Sequence, residues 1–174
     1  MSNLFEECLG DKFNKLAPLV RQAHTGSTRL VGDVIVERGN LMAQLICTLF
    51  GMPPSTPKCR LVVLGQHTAD NMTWNRHFDN YAMNSLFVKD GDYVVERLGP
   101  IHMKMALDVA DGILTYALAK TRVFGIPIPA FFSPRVTAVE QQVENKYRFS
   151  VIVAMPLIGK LVSYQGDMQV ETIA

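Results

Sequence analysis

Two opposite charges sit in apolar, alternating surroundings: Arg76 within Trp74-x-Arg76-x-Phe78, and Glu96 within Val94-x-Glu96-x-Leu98. An arginine so placed can receive an anionic or carbonyl group through its planar fork of donors, and a glutamate can move a proton or balance the arginine. Trp74, Tyr81 and Tyr116 offer walls for an apolar slot, and Ser85 offers a hydroxyl. The simpler role is an internal ion pair that orients the sheet, since charged side chains are seldom buried unless paired. His24 stands before Thr25-Gly26 at the end of a helical stretch, where the helix dipole favours an imidazolium and capping is the plain role. Arg38-Gly39 closes an extended run, either as a solvated turn arginine or as the guard of a barrel mouth.

Other chemistries find little support. His24, His67, His77 and His102 lack the spacing of a familiar metal site, so no metal is expected. There is no G-x-S-x-G elbow and no glycine-rich phosphate loop, which argues against a resident dinucleotide or other cofactor. Cys8, Cys47 and Cys59 are odd in number without a C-x-x-C, which predicts no disulfide framework and a reduced, cytoplasmic setting. The net charge of +1, with no block of like charge, predicts no broad electrostatic footprint for nucleic acid or anionic membrane. No apolar run is long enough for a membrane span, and acidic residues stand where a signal peptide needs basic ones. A composition 48% hydrophobic and 19% charged excludes disordered and fibrous classes. Residues 1–174 are expected to form one domain with a small molecule or a protein as its partner.

The elements that must position these residues are mostly strands. Leu4 to Val20 has a helical period broken at Gly10 and Pro18, and Asn40 caps a helix that Gly51 and Pro53 end. The runs 28–37, 59–67, 72–78, 81–88, 93–98, 101–109, 113–122, 134–141, 146–155 and 158–168 alternate as strands. Their short connections force antiparallel neighbours. Two-residue loops at Asp79-Asn80, Asp90-Gly91 and Gly99-Pro100 set Arg76 opposite Met83, Trp74 opposite Ser85, Ser85 opposite Glu96, and Glu96 opposite Met103. Trp74, Arg76, Met83, Ser85, Phe87 and Glu96 then share an inner face, which Leu114, Tyr116 and Leu118 continue. Thr73, Asn75, His77, Asn84, Arg97 and Lys104 face outward. Such a meander curls into a barrel or a strongly curved sheet, the alternative being an open sheet that grips a helix.

The elements Phe13-x-x-Leu16-x-Pro18, His24, Gly32 with Arg38-Gly39, Trp74-x-Arg76-x-Phe78, Glu96-x-x-Gly99-Pro100, Gly125-x-Pro127-x-Pro129, and Pro156-Leu157-x-Gly159 with Tyr164-x-Gly166 follow one another in that order. They resemble a bacterial domain-of-unknown-function family, number four-one-six-six, that occurs alone or behind a saccharopine-dehydrogenase-like, NAD-binding Rossmann domain. The resemblance covers nearly the whole chain. It implies an accessory or substrate-binding role beside an NAD-dependent oxidoreductase partner. It also carries Trp74, Arg76, Glu96, His24 and Arg38 over as candidate site residues.

The expected fold is mainly β, an antiparallel meander forming a barrel or strongly curved sheet, with an irregular N-terminal helical segment and one inserted helix. The expected function is binding of a small apolar or amphipathic molecule with an anionic or carbonyl end. Its candidate residues are Arg76, Trp74, Glu96, Ser85, Tyr81, Tyr116, His24 and Arg38. The alternative is an enzyme or enzyme subunit in which Glu96 is a general acid or base and Arg76 stabilises developing negative charge. A protein partner is expected to use an exposed sheet edge or the outer helix faces.

Overall fold

The computed structural model describes residues 3–173. Ten of its antiparallel strands close into an up-and-down barrel. They are β1 (Ser27–Arg38), β2 (Thr56–His67), β3 (Asn71–Phe78), β4 (Tyr81–Asp90), β5 (Tyr93–Leu98), β6 (Ile101–Ala110), β7 (Ile113–Val123), β9 (Arg135–Val143), β10 (Lys146–Met155) and β11 (Gly159–Thr172). Each pairs with its neighbour in this order, and β1 with β11 completes the ring. Every expected extended run is one of these strands. The short β8 (Ile126–Pro127), which alternation did not reveal, hangs on β7. Closure rules out the open sheet.

The helices take the two ends. At one end α1 (Leu4–Leu9), a 3-10 turn (Gly10–Lys15) and α2 (Pro18–Ala23) form a plug. Leu4, Phe5, Phe13, Leu16, Val20 and Ala23 are all buried there. Backbone bonds fasten the plug to the strand turns, from Leu4 N–H to Thr68 O at 2.8 Å and from Ala17 N–H to Gly112 O at 3.0 Å. At the other end α3 (Leu41–Leu49) lies between β1 and β2, its first turn capped as expected by Asn40, which accepts from Ala43 N–H at 3.0 Å.

The register follows the turn chemistry with one correction. Arg76 faces Met83, Trp74 faces Ser85 and Glu96 faces Met103, as expected. Ser85 does not lie opposite Glu96, because Asp90 pairs with Tyr93 and the loop is Gly91-Asp92. Gly91, at φ 65°, takes the left-handed position that opens this tight hairpin. Phe87 therefore faces Glu96. The slip is by two residues, so the side-chain parity is preserved and the inner face is the one derived.

The closing seam depends on two inward glycines. A Cβ on Gly32 would lie 2.2 Å from the Asp167 carbonyl oxygen, and one on Gly166 would lie 2.6 Å from that of Asp33. Both obstacles are backbone, so neither can rotate aside. Gly32→Ala is therefore expected to lower the stability of the folded chain by about 1–3 kcal/mol. Urea unfolding followed by circular dichroism measures this, and an unchanged midpoint would show that the seam tolerates a methyl group.

Candidate functional site

The barrel encloses a cavity of about 350 Å³. Its walls are apolar and rich in methionine, with Met83, Met103, Met105, Met155 and Met168 contributed by four strands, β4, β6, β10 and β11. Trp74, Arg76, Glu96, Tyr116, Glu140 and Tyr164 bring the aromatic and polar groups.

The first polar group comes from three consecutive strands. Arg76 on β3 donates to the Ser85 hydroxyl on β4 at 2.7 Å and to Glu96 on β5 at 3.3 Å. Ser85 in turn donates to Glu96 Oε1 at 2.6 Å. The side chains of Arg76 and Glu96 are only 7% and 13% exposed, so this is an interior ion pair rather than a rim pair. The guanidinium carbon also stands 5.3 Å from the centre of the Trp74 ring.

The second polar group centres on Glu140 of β9. His24, the C-cap residue of α2, is fully buried and meets Glu140 Oε2 at 2.6 Å through Nε2. The Tyr116 hydroxyl donates to Oε1 at 2.6 Å. Burial pushes the Glu140 carboxyl up, but His24 and the hydroxyls of Tyr116 and Tyr147 outweigh it, and the group is held below the usual carboxyl value. An ionised carboxylate only accepts, so His24 donates to it. Burial, reinforced by Glu140, raises both tyrosines well above their ordinary value and keeps them protonated donors.

Aromatic stacking joins the two groups. Phe5 stacks on His24 at 4.1 Å between ring centres, and His24 stacks on Trp74 at 5.3 Å. The indole Nε1, His24 Nδ1 and both ring nitrogens of His67 are buried without a hydrogen-bond partner among the described residues. Gly65 leaves room for two of these groups, since a Cβ there would lie 3.0 Å from Trp74 Nε1 and 3.1 Å from His67 Nε2. Burial, with His24 nearby, pushes the His67 imidazole down to about 3.

Of the expected residues, Trp74, Arg76, Glu96 and Tyr116 line the cavity, and Ser85 braces the ion pair from behind. His24 sits one layer deeper, against Trp74 and Glu140. Tyr81 stands apart, its hydroxyl near Gly51 below the end of α3. Arg38 is half-buried and does not line the cavity: it donates to Pro53 O at 2.9 Å, to Thr48 Oγ1 at 2.9 Å and to Met52 O, tying the end of α3 to β1. Glu140, Tyr147 and Tyr164 were not among the expected residues. Glu140 had a signal, because it falls in phase with Val136 and Ala138 on a strand whose even positions point inward.

The molecule is thus an up-and-down β-barrel, plugged at one end by helices, with a cavity lined by two buried polar groups. The model of the family described as Domain of unknown function (DUF4166) matches residues 16–168, and the chain belongs to that family. No curated protein matches the sequence.

Two outcomes follow from these groups. Arg76→Ala leaves Glu96 without its cation and is expected to cost about 3–5 kcal/mol of stability. Adding Glu96→Ala should restore part of that loss in urea titrations, and a strictly additive double variant would mean the two charges do not interact. His67 is neutral in the fold and has an ordinary value of 6.5 when unfolded, so the unfolded state takes up the proton first. Stability should therefore fall as pH drops from about 6.5 towards 3. Glu140, whose folded value is lowered, loses its contribution in the same direction but only below the ordinary carboxyl value of 4.5. Unfolding midpoints between pH 7 and pH 5, compared with those of His67→Leu, isolate the histidine; an equal slope in both proteins would refute its role.

Proposed function

We propose that the barrel binds a small apolar or amphipathic molecule, its apolar body among the methionines and its polar end at Arg76. The observation that carries this reading is a mainly apolar cavity of about 350 Å³ inside the barrel into which a few polar groups converge. Glu96 already balances Arg76, so a carbonyl end can share the guanidinium without displacing anything. An anionic end would have to draw Arg76 away from Glu96. The buried and unpartnered Trp74 Nε1 adds a donor beside the same strand face. The family resemblance adds a role beside a separate nicotinamide-dependent oxidoreductase, as an accessory or substrate-holding protein.

Trp74 is the single tryptophan and lines the cavity, which makes its emission a direct reporter of occupancy. Titration with a long-chain fatty acid and with its methyl ester should change that emission saturably, the ester binding at least as well as the acid. Arg76→Met should weaken both by about tenfold to a hundredfold, the worth of hydrogen bonds to a charged group. Circular dichroism shows whether the variant keeps its fold. Native mass spectrometry of gently purified protein gives a second readout as a mass above that of the bare chain. If the emission stays flat for both probes and no added mass appears, the binding reading fails.

A further inference from the structure

The mouth of the barrel has two properties that no other part of the surface shares. Every large apolar side chain among the described residues that is half or more exposed belongs to it. From α3 these are Leu41, Met42, Leu45 and Leu49, at 83, 55, 66 and 77% exposure. From the segment between β7 and β9 they are Phe124, Ile126, Phe131 and Phe132, at 76, 66, 64 and 50%. Leu157, 86% exposed, occupies the turn between β10 and β11, and the Asn40 side chain ties that turn to α3 through Ile158 O at 3.0 Å. Both α3 and the 124–134 segment also face the cavity, through Ile46 and Phe50 on one side and Ile128 and Phe132 on the other. An apolar rim therefore surrounds the entrance to an apolar interior.

The charge is divided along the barrel axis. At the mouth end, Arg97, His102 and Arg122 lie side by side across β5, β6 and β7, and Arg135 and Lys160 stand at the starts of β9 and β11. Arg97, Arg122 and Arg135 have no carboxylate partner among the described residues. The acidic residues near this end are Glu37, paired with Lys160, and Asp79. At the plugged end Asp70, Asp92, Asp111 and Glu144 occupy the strand turns and Glu6, Glu7 and Asp11 lie on the helices, where Lys12, Lys15 and Arg21 of the helices and Lys89 and Lys146 of the strand ends offset part of their charge. The net charge of +1 thus hides an uneven distribution, with the unpaired Arg97, Arg122 and Arg135 gathered at the mouth.

We propose that the mouth is a docking face for an anionic lipid bilayer, with α3 and the 124–134 segment seated at the headgroup boundary and the flanking arginines on acidic headgroups. A bilayer surface accepts both features at once, since interfacial binding scales with apolar area and with basic residues near the surface. A protein over the same rim would seal the cavity, whereas a bilayer both covers the rim and supplies amphipathic molecules to it. That last step rests on the binding reading; docking itself does not, and is tested with no ligand added.

The test is co-sedimentation of the whole chain with phosphatidylcholine vesicles, with and without phosphatidylserine. The chain should pellet with the phosphatidylserine vesicles and be released by raised salt. Arg122→Gln should reduce partitioning about fivefold. Leu45→Glu with Phe131→Glu should abolish it. Neither of the last two residues lines the cavity, so Trp74 emission titrations with the fatty-acid ester should be unchanged in that double variant. A chain that stays in the supernatant at low salt, pellets equally with neutral vesicles, or is indifferent to the rim substitutions overturns the proposal.

Discussion

The buried carboxylate of Glu140 imposes the tightest constraint on this molecule. Removing an ion from water costs several kcal/mol unless partners with good geometry replace the solvent. Here the partners come from far apart in the chain: His24 from the end of α2, Tyr116 from β7 and Tyr147 from β10. The plug must be docked and the β7–β9 pairing in register before that charge is satisfied. The Arg76–Glu96 ion pair works likewise, since Arg76, Ser85 and Glu96 meet only if β3, β4 and β5 are correctly aligned. Each group tolerates few alternative registers, because a slip of one residue would turn a charge out and an apolar side chain in.

Between these fixed points the interior is left loose. A closed ten-stranded barrel is wider than the eight-stranded kind that side chains just fill, so the plug occupies only one end. Methionine suits the remainder, for its unbranched side chain can line a space without a single packed arrangement. The result is rigid polar anchors at depth and adaptable walls above them, the division of labour by which a pocket orients one end of a molecule and tolerates variation in the rest.

Much of this was legible in the chain. Parity along β3 to β7, read from turn residues alone, placed Trp74, Arg76, Ser85, Glu96 and Tyr116 on one inner face, because an error of two residues at the Gly91-Asp92 hairpin does not change which side a residue faces. That reading stopped at Leu118. The 124–134 segment is no hairpin, so the phase of β9 to β11 could not be carried across it; Tyr147 and Tyr164 stayed hidden, and Glu140 had only the alternation of its own strand as a signal. His24 appeared as a helix end, but its partner lies 116 residues away, a pairing no local pattern reveals. Gly32 and Gly166 stood among the family elements without a reason, and the seam supplies one.

The axial charge division was hidden for a topological reason. In an up-and-down meander each strand carries the chain from one end to the other, so successive turns belong alternately to the mouth and to the base. Asp70, Asp92 and Asp111 gather at one end, yet Asp79 and Gly99-Pro100 of the opposite end fall between them in sequence. Like charges that are neighbours in space are therefore separated in the chain by about two strands, and no run of like charge forms. A barrel can thus gather unpaired cations at one end while its composition is nearly neutral and its sequence is evenly mixed. The field such a molecule presents to an approaching surface is set by strand order, not by the sum of its charges.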